Sequence, residues 1–205
     1  MVSSEKNVKM RRTGINKADI YERLLSSVSK NNTNNDICVF LSHKREDKSA
    51  CIKIANYLKE ANINYYLDIE DEGLQIASNN SDPEKITESI KNGIKNSTHM
   101  LVVISEKTYL SKWVPFEVGY GHSAIIDQKP LNSKINLAVL TLSDISEKQL
   151  PDYLQIAYQI RGTKSLNEYI SKISNTLEKS LINESRIFSH SHLKHPLDSI
   201  LNWQL

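Results

Sequence analysis

The chain has 205 residues, 39% of them hydrophobic and 24% charged, the composition of one globular domain of roughly 100–200 residues with short additional segments. Its 26 Lys and Arg nearly balance its 24 Asp and Glu, so a net charge of +2 gives no argument for nucleic acid as a partner. Only six glycines are present, Gly14, Gly73, Gly93, Gly119, Gly121 and Gly162, and neither G-x-G-x-x-G nor G-x-x-x-x-G-K-S/T can be written from them. Backbone-cradled nucleotide sites of the Rossmann and P-loop kinds are therefore excluded.

Residues 1–15 are polar and lack the apolar stretch of a secretory signal. Residues 16–29 carry the pattern of a helix: Asn16 is placed to cap it, Asp19 follows three residues later, and Ile20, Leu24, Leu25 and Val28 share a face. The asparagine-rich run 31–35 reads as a linker, which makes residues 1–35 an N-terminal extension with one helix. From residue 36 a regular alternation begins. Residues 37–41 form a short apolar run, a buried strand ending at Ser42 and His43. Residues 47–61 are helical, with Ile52, Ala55, Tyr57 and Leu58 inward, and 63–68 form a second strand. Residues 69–82 read as a long acidic loop, and 83–95 as a helix with Pro83 at its first position. Residues 99–105 are a third strand, 115–127 a helix opened by Pro115, and 135–142 a fourth strand. A short helix within 144–153, a fifth strand at 156–160 and a helix over 166–181 complete the domain, 36–181. In the tail, 182–205, Leu197, Ile200, Leu201 and Leu205 recur at helical spacing with Trp203 nearby; a helix docked on the core and an oligomer contact are both readings of it. His190, His192 and His195 fit no zinc spacing and read as part of a polar tail, so no metal is expected.

Strands that are continuous apolar runs, separated by helices, make a parallel sheet covered on both faces. Five such units give an α/β, flavodoxin-like open sheet, which binds ligands at the carboxyl ends of its strands. That edge holds Ser42 and His43, Asp68, and residues 105–117. No apolar run is longer than Met100 to Ile104, far short of the ~20 residues of a membrane span. Cys38 and Cys51 form no C-x-x-C pair and read as core residues, in keeping with a reducing cytoplasm.

The segment after the third strand carries the chemistry. Glu117 falls in the first turn of a helix starting at Pro115, where the macrodipole favours the carboxylate. Trp113 stands just before that helix, on a loop, and offers a flat face to a heteroaromatic ring. Bland readings stand beside these: Glu117 as a dipole partner, Trp113 as packing, Ser42 and Asp68 as turn residues, and Lys44-Arg45 as a solvated pair. Gly119 and Gly121 inside the helix suggest close packing on a neighbour, another subunit included, or a kink.

Three stretches resemble the Toll/interleukin-1 receptor (TIR) domains, the bacterial ones in particular. They are residues 36–43 with Asp47, the run Tyr65-Tyr66-Leu67-Asp68, and Ser105 with Ser111, Trp113 and Glu117, like the family's S…S-x-W-x-x-x-E signature. The chain departs from the family at Val114, where cysteine is frequent, and at residues 69–73, which lack the Pro-Gly pair of receptor and adaptor TIRs. The resemblance implies cleavage of NAD⁺ at the nicotinamide–ribose bond, with Glu117 as the catalytic carboxylate and NAD⁺ as substrate rather than bound cofactor. It implies Ser42, His43, Lys44 and Arg45 as contacts to phosphate or ribose, Trp113 as the stacking residue in a site shared between subunits, and Asp68 as a further contact. A single carboxylate suffices on chemical grounds. The nicotinamide of NAD⁺ is cationic and leaves neutral, so no acid is required, unlike the alkoxide leaving groups of glycosides. The short extensions suit a stand-alone enzyme making a diffusible nucleotide for a separate effector, like the TIR subunit of Thoeris antiphage systems. A non-catalytic TIR interaction module and a nucleoside deoxyribosyltransferase-like enzyme are the alternatives.

Overall fold

The structure is a computed structural model that describes residues 14–19, 37–127, 134–143, 150–174 and 195–202. Five parallel strands run in the order β2-β1-β3-β4-β5: β1 (Cys38–Ser42), β2 (Asn64–Tyr66), β3 (His99–Ile104), β4 (Leu137–Thr141) and β5 (Tyr158–Ile160). The order reverses direction between β1 and β3, the switch point of a flavodoxin-like sheet. The register sets Phe40 opposite both Tyr66 and Met100, and Leu101 opposite Ala138. The expected fold class is borne out.

Side chains alternate across the strands, so each face of the sheet receives its own core. Val39, Leu41, Leu101 and Val103 face α1 (Lys48–Glu60) and the last helix, α6 (Thr163–Ser174), through Ile54, Leu58, Leu166 and Ile170. Phe40, Met100, Val102 and Ile104 face the other way, toward α3 (Pro83–Lys95) and α4 (Trp113–Gly121). This two-sided burial is why the strands read as unbroken apolar runs rather than alternating ones.

Several boundaries differ from expectation. The acidic loop 69–82 contains α2 (Glu72–Asn79), whose N-terminus Asp71 caps by accepting from Leu74 N–H at 3.0 Å. Only Ala77 of that helix is buried, so no apolar stripe announces it. α4 begins at Trp113, two residues before Pro115, because Ser111 Oγ accepts from Val114 N–H at 3.2 Å and supplies the cap earlier. Proline is tolerated there because the first-turn N–H groups have no partner inside the helix. The short helix is α5 (Asp152–Gln155), with 144–149 outside the described residues. Asn16 is fully buried, bridges to Tyr65, and accepts from Ala18 N–H at 3.0 Å in capping style; of the helix expected over 16–29, residues 16–19 are a bridge and a turn, and the rest lies outside the described residues.

Residues 195–202 fold back onto the α1/α6 face as consecutive turns rather than a helix. Leu197 and Leu201 are buried in that core, and Ile200 packs against it. His195 is not in a polar tail: it is buried, and its Nδ1 accepts from Leu197 N–H at 3.1 Å. Nε2 therefore carries the proton and faces Tyr57 Oη at 3.1 Å, while Tyr57 O–H donates to Asn167 Oδ1 at 2.6 Å. His190, His192, Trp203 and Leu205 lie outside the described residues.

Candidate active site

Strand alternation decides what meets at the sheet edge. Ser42 continues the face of Cys38 and Phe40, the face that α4 covers. α4 lies close to β3 because residue 121 is glycine: a Cβ there would sit 2.5 Å from Met100 Cε and 2.9 Å from its sulfur. The glycine packing is thus internal to the chain at Gly121, whereas Gly119 faces open space. Val114 and Val118 bury on the same helix and bring Glu117 inward between them.

Glu117 is only 5% exposed, and Ser42 O–H donates to its Oε2 at 2.6 Å. Its other oxygen takes no hydrogen bond from a described residue. Burial pushes the carboxyl up to about 8, the Asp68 charge adds to this, and the Ser42 hydrogen bond opposes it. The expectation of a dipole-ionised carboxylate is corrected on both counts. Glu117 is the fifth residue of α4, beyond the first turn, and desolvation outweighs the dipole. Glu117 is thus a largely protonated acid at neutral pH and a proton acceptor once it ionises near pH 8.

His43 leaves β1 on the opposite side. Its Nδ1 donates to Leu41 C=O at 3.1 Å and lies 3.8 Å from Asp68 Oδ1. Asp68 follows β2 in a 3-10 turn; its side chain is 30% exposed, yet Oδ1 is shut from solvent and takes no hydrogen bond from a described residue. That burial raises its pKa, against the lowering influence of His43. Lys44 is half-buried with Nζ 3.3 Å from Glu46, and Arg45 is exposed. Trp113 is the first residue of α4 rather than part of a preceding loop; it is 40% exposed and stands perpendicular to Phe116 at 5.7 Å. Four residues separate it from Glu117, about 6 Å along the helix axis. The helix then widens into a π turn, His122–Ile126, a distortion frequent at functional sites.

The structure thus gathers Ser42, His43, Asp68 and Glu117 at one edge, with Trp113 one turn from Glu117. Lys44 and Arg45 flank them from the loop after β1. Three supporting residues, named in the sequence only as marks of the resemblance, gain a structural role here. Asp47 accepts from Ser105 O–H at 2.5 Å; Ser105 also caps the 3-10 turn Glu106–Leu110; and Ser111 caps α4. The signal was present for Ser105, which directly precedes its turn, and weaker for Ser111, which Lys112 separates from α4.

A TIR-domain family model matches residues 39–174, about two thirds of the chain. The chain belongs to the TIR-domain family. Among solved structures, the TIR domain of the Toll-related receptor TRR-2 from Hydra magnipapillata is similar, with 17% identity and a TM-score of 0.47; the match covers 65% of this chain and 91% of that one. No curated protein matches the chain. Within the TIR match, residues 39–174 include every candidate site residue from Ser42 to Glu117. Among the described residues of this TIR protein, no helix is long and apolar enough to cross a membrane, and no group of three or more His, Cys, Asp or Glu is placed to hold a metal.

Proposed function

We propose that this TIR domain cleaves NAD⁺ at the nicotinamide–ribose bond. The observation that carries the proposal is the Glu117 carboxyl, buried at the carboxyl edge of the sheet, oriented by Ser42 and one turn from the exposed Trp113. An interaction module alone gives no use to an acid held in this way.

In the proposed reaction the C1′–N bond breaks and its electron pair returns to the nicotinamide nitrogen, which leaves neutral. Glu117 as carboxylate stabilises the oxocarbenium-like ribose, an electrostatic effect magnified by its desolvation. Water, or the adenine of the same molecule, then forms the new bond to C1′. The proton lost by water passes to Glu117, giving ADP-ribose; adenine attack gives a cyclic ADP-ribose-type product. Trp113 offers its open face to a base, Lys44 and Arg45 their charge to the diphosphate, and His43 and Asp68 polar contacts to the ribose. At system level the reading is bacterial and cytoplasmic. The product is a diffusible signal read by a separate effector, as in a Thoeris-type antiphage system. Tyr109, Leu110 and Trp113, all exposed, supply apolar surface for TIR–TIR self-association beside the site, which also supports the module reading.

The test is incubation of purified protein with NAD⁺ and identification of products by mass spectrometry, with Glu117→Ala as control. Nicotinamide release lost in the variant is expected. Equal NAD⁺ loss in both proteins would refute the role of Glu117. Repeating the assay in phage-infected cells tests the antiphage reading separately.

A further inference from the structure

Asp47 is the N-cap residue of α1, yet its side chain makes no capping hydrogen bond. An aspartate in that position ordinarily accepts from the N–H groups of the first helical turn. Here the carboxylate instead reaches across the sheet edge and accepts a hydrogen bond of 2.5 Å from the Ser105 hydroxyl. Both groups are buried, Asp47 to 6% and Ser105 to 0% exposure, so neither oxygen has water as a ready alternative. Ser105 is also fixed on its own side: its Oγ accepts from Lys107 N–H at 3.2 Å, and its N–H donates to Thr108 Oγ1 at 2.9 Å.

The two ends of the loop after β1 are thereby tied to one segment. Ser42 opens the loop and binds Glu117; Asp47 closes it and binds Ser105. Between them, Glu46 faces Lys44 at 3.3 Å and feels the charge of Lys107 from the same segment. The loop that carries His43, Lys44 and Arg45 is thus clamped at both ends against the stretch leading to Trp113 and Glu117.

We propose that Asp47 is a positioning residue: its bond to Ser105, made in place of a helix cap, holds the His43–Lys44–Arg45 loop in register with Glu117 for binding of the dinucleotide. The functional part of this inference rests on the NAD⁺-cleaving reading above; the structural part does not. Asp47 touches no substrate and acts through the loop, so its loss falls on substrate binding.

The experiment compares the full chain with Asp47→Ala, Asp47→Asn and Ser105→Ala. The Asp47→Asn side chain keeps an oxygen that accepts from Ser105 and removes only the charge. Steady-state kinetics with NAD⁺ are expected to give a KM raised about tenfold in Asp47→Ala with kcat little changed, and near wild-type values in Asp47→Asn. Backbone hydrogen exchange over residues 42–48 is expected to quicken about tenfold in Asp47→Ala and Ser105→Ala but not in Asp47→Asn. Should Asp47→Ala fail to fold, Ser105→Ala removes the same bond from the other side and carries both readouts. Exchange unchanged by loss of the bond, or equal effects in Asp47→Ala and Asp47→Asn, would overturn the proposal. If the wild-type protein leaves NAD⁺ intact, the functional reading falls while the exchange measurement still decides the clamp.

Discussion

Glu117 shows how far a single side chain can depart from its ordinary chemistry when the fold removes its water. Its carboxyl is raised to about 8 by burial, while the unfolded chain ionises near the usual value of about 4.5. The native state therefore holds a proton that the unfolded state gives up, and stability falls as pH rises through that interval. Below the unfolded value the contribution is fully present; above about 8 it is lost. Glu117→Gln keeps an oxygen for Ser42 and never ionises. Its stability advantage over wild type in denaturant titrations is expected to be near zero at about pH 4, to grow by about 1.4 kcal/mol per pH unit at most, and to level off above about pH 8. A constant difference across that range would mean that Glu117 is not desolvated. The glutamate itself was legible in the sequence, from the spacing Trp113 to Glu117. Its protonation was not, because that comes first from burial by the assembled fold, with Ser42, seventy-five residues away, opposing it and Asp68 adding to it.

Among elements, α4 is the one whose geometry the site depends on. Its two glycines make different predictions although the sequence presents them as a pair. A methyl at residue 121 strikes Met100, and one at residue 119 meets nothing within 4 Å. Gly121→Ala is expected to gain less stability than Gly119→Ala, because the flexible end of the buried Met100 must shift to admit the methyl. Gly119→Ala is expected to stabilise by up to about 1 kcal/mol through helix propensity. Chemical denaturation measures both, and equal effects would contradict the packing described. Strands β1, β3 and β4 were legible because buried parallel strands are continuous apolar runs, as in Met100 to Ile104. The start of α4 was misplaced because Pro115 is a stronger local signal than Ser111, though Ser111 forms the cap. α2 was missed because its apolar Ile76 points to solvent at 60% exposure.

For the molecule as a whole, the core extends beyond the residues 39–174 that match the TIR family. Residues 195–202 place Leu197 and Leu201 between α1 and α6, and they tie down through Thr163 N–H to Asn202 C=O and Ser143 N–H to Ile200 C=O, both at 3.0 Å. Docking of the tail on the core was one of the two readings of its apolar spacing; the turn conformation and the His195–Tyr57–Asn167 chain were not legible, since they need contacts more than a hundred residues apart. Leu197→Ala is expected to cost about 2–5 kcal/mol in urea unfolding, as for other fully buried leucines, and a change under about 1 kcal/mol would show that the tail is not part of the core. The tail braces α1, the helix that follows directly from the loop carrying His43 to Asp47. At the opposite side of the same edge, α4 presents Glu117 to Ser42. The measurement that bears most directly on this arrangement is kcat/KM for NAD⁺ from about pH 6 to 9, with folded Glu117→Gln alongside. Wild-type activity rising with pH to a plateau above about 8, and absent from the variant at every pH, is the expected result; cleavage by Glu117→Gln at the wild-type rate would contradict it.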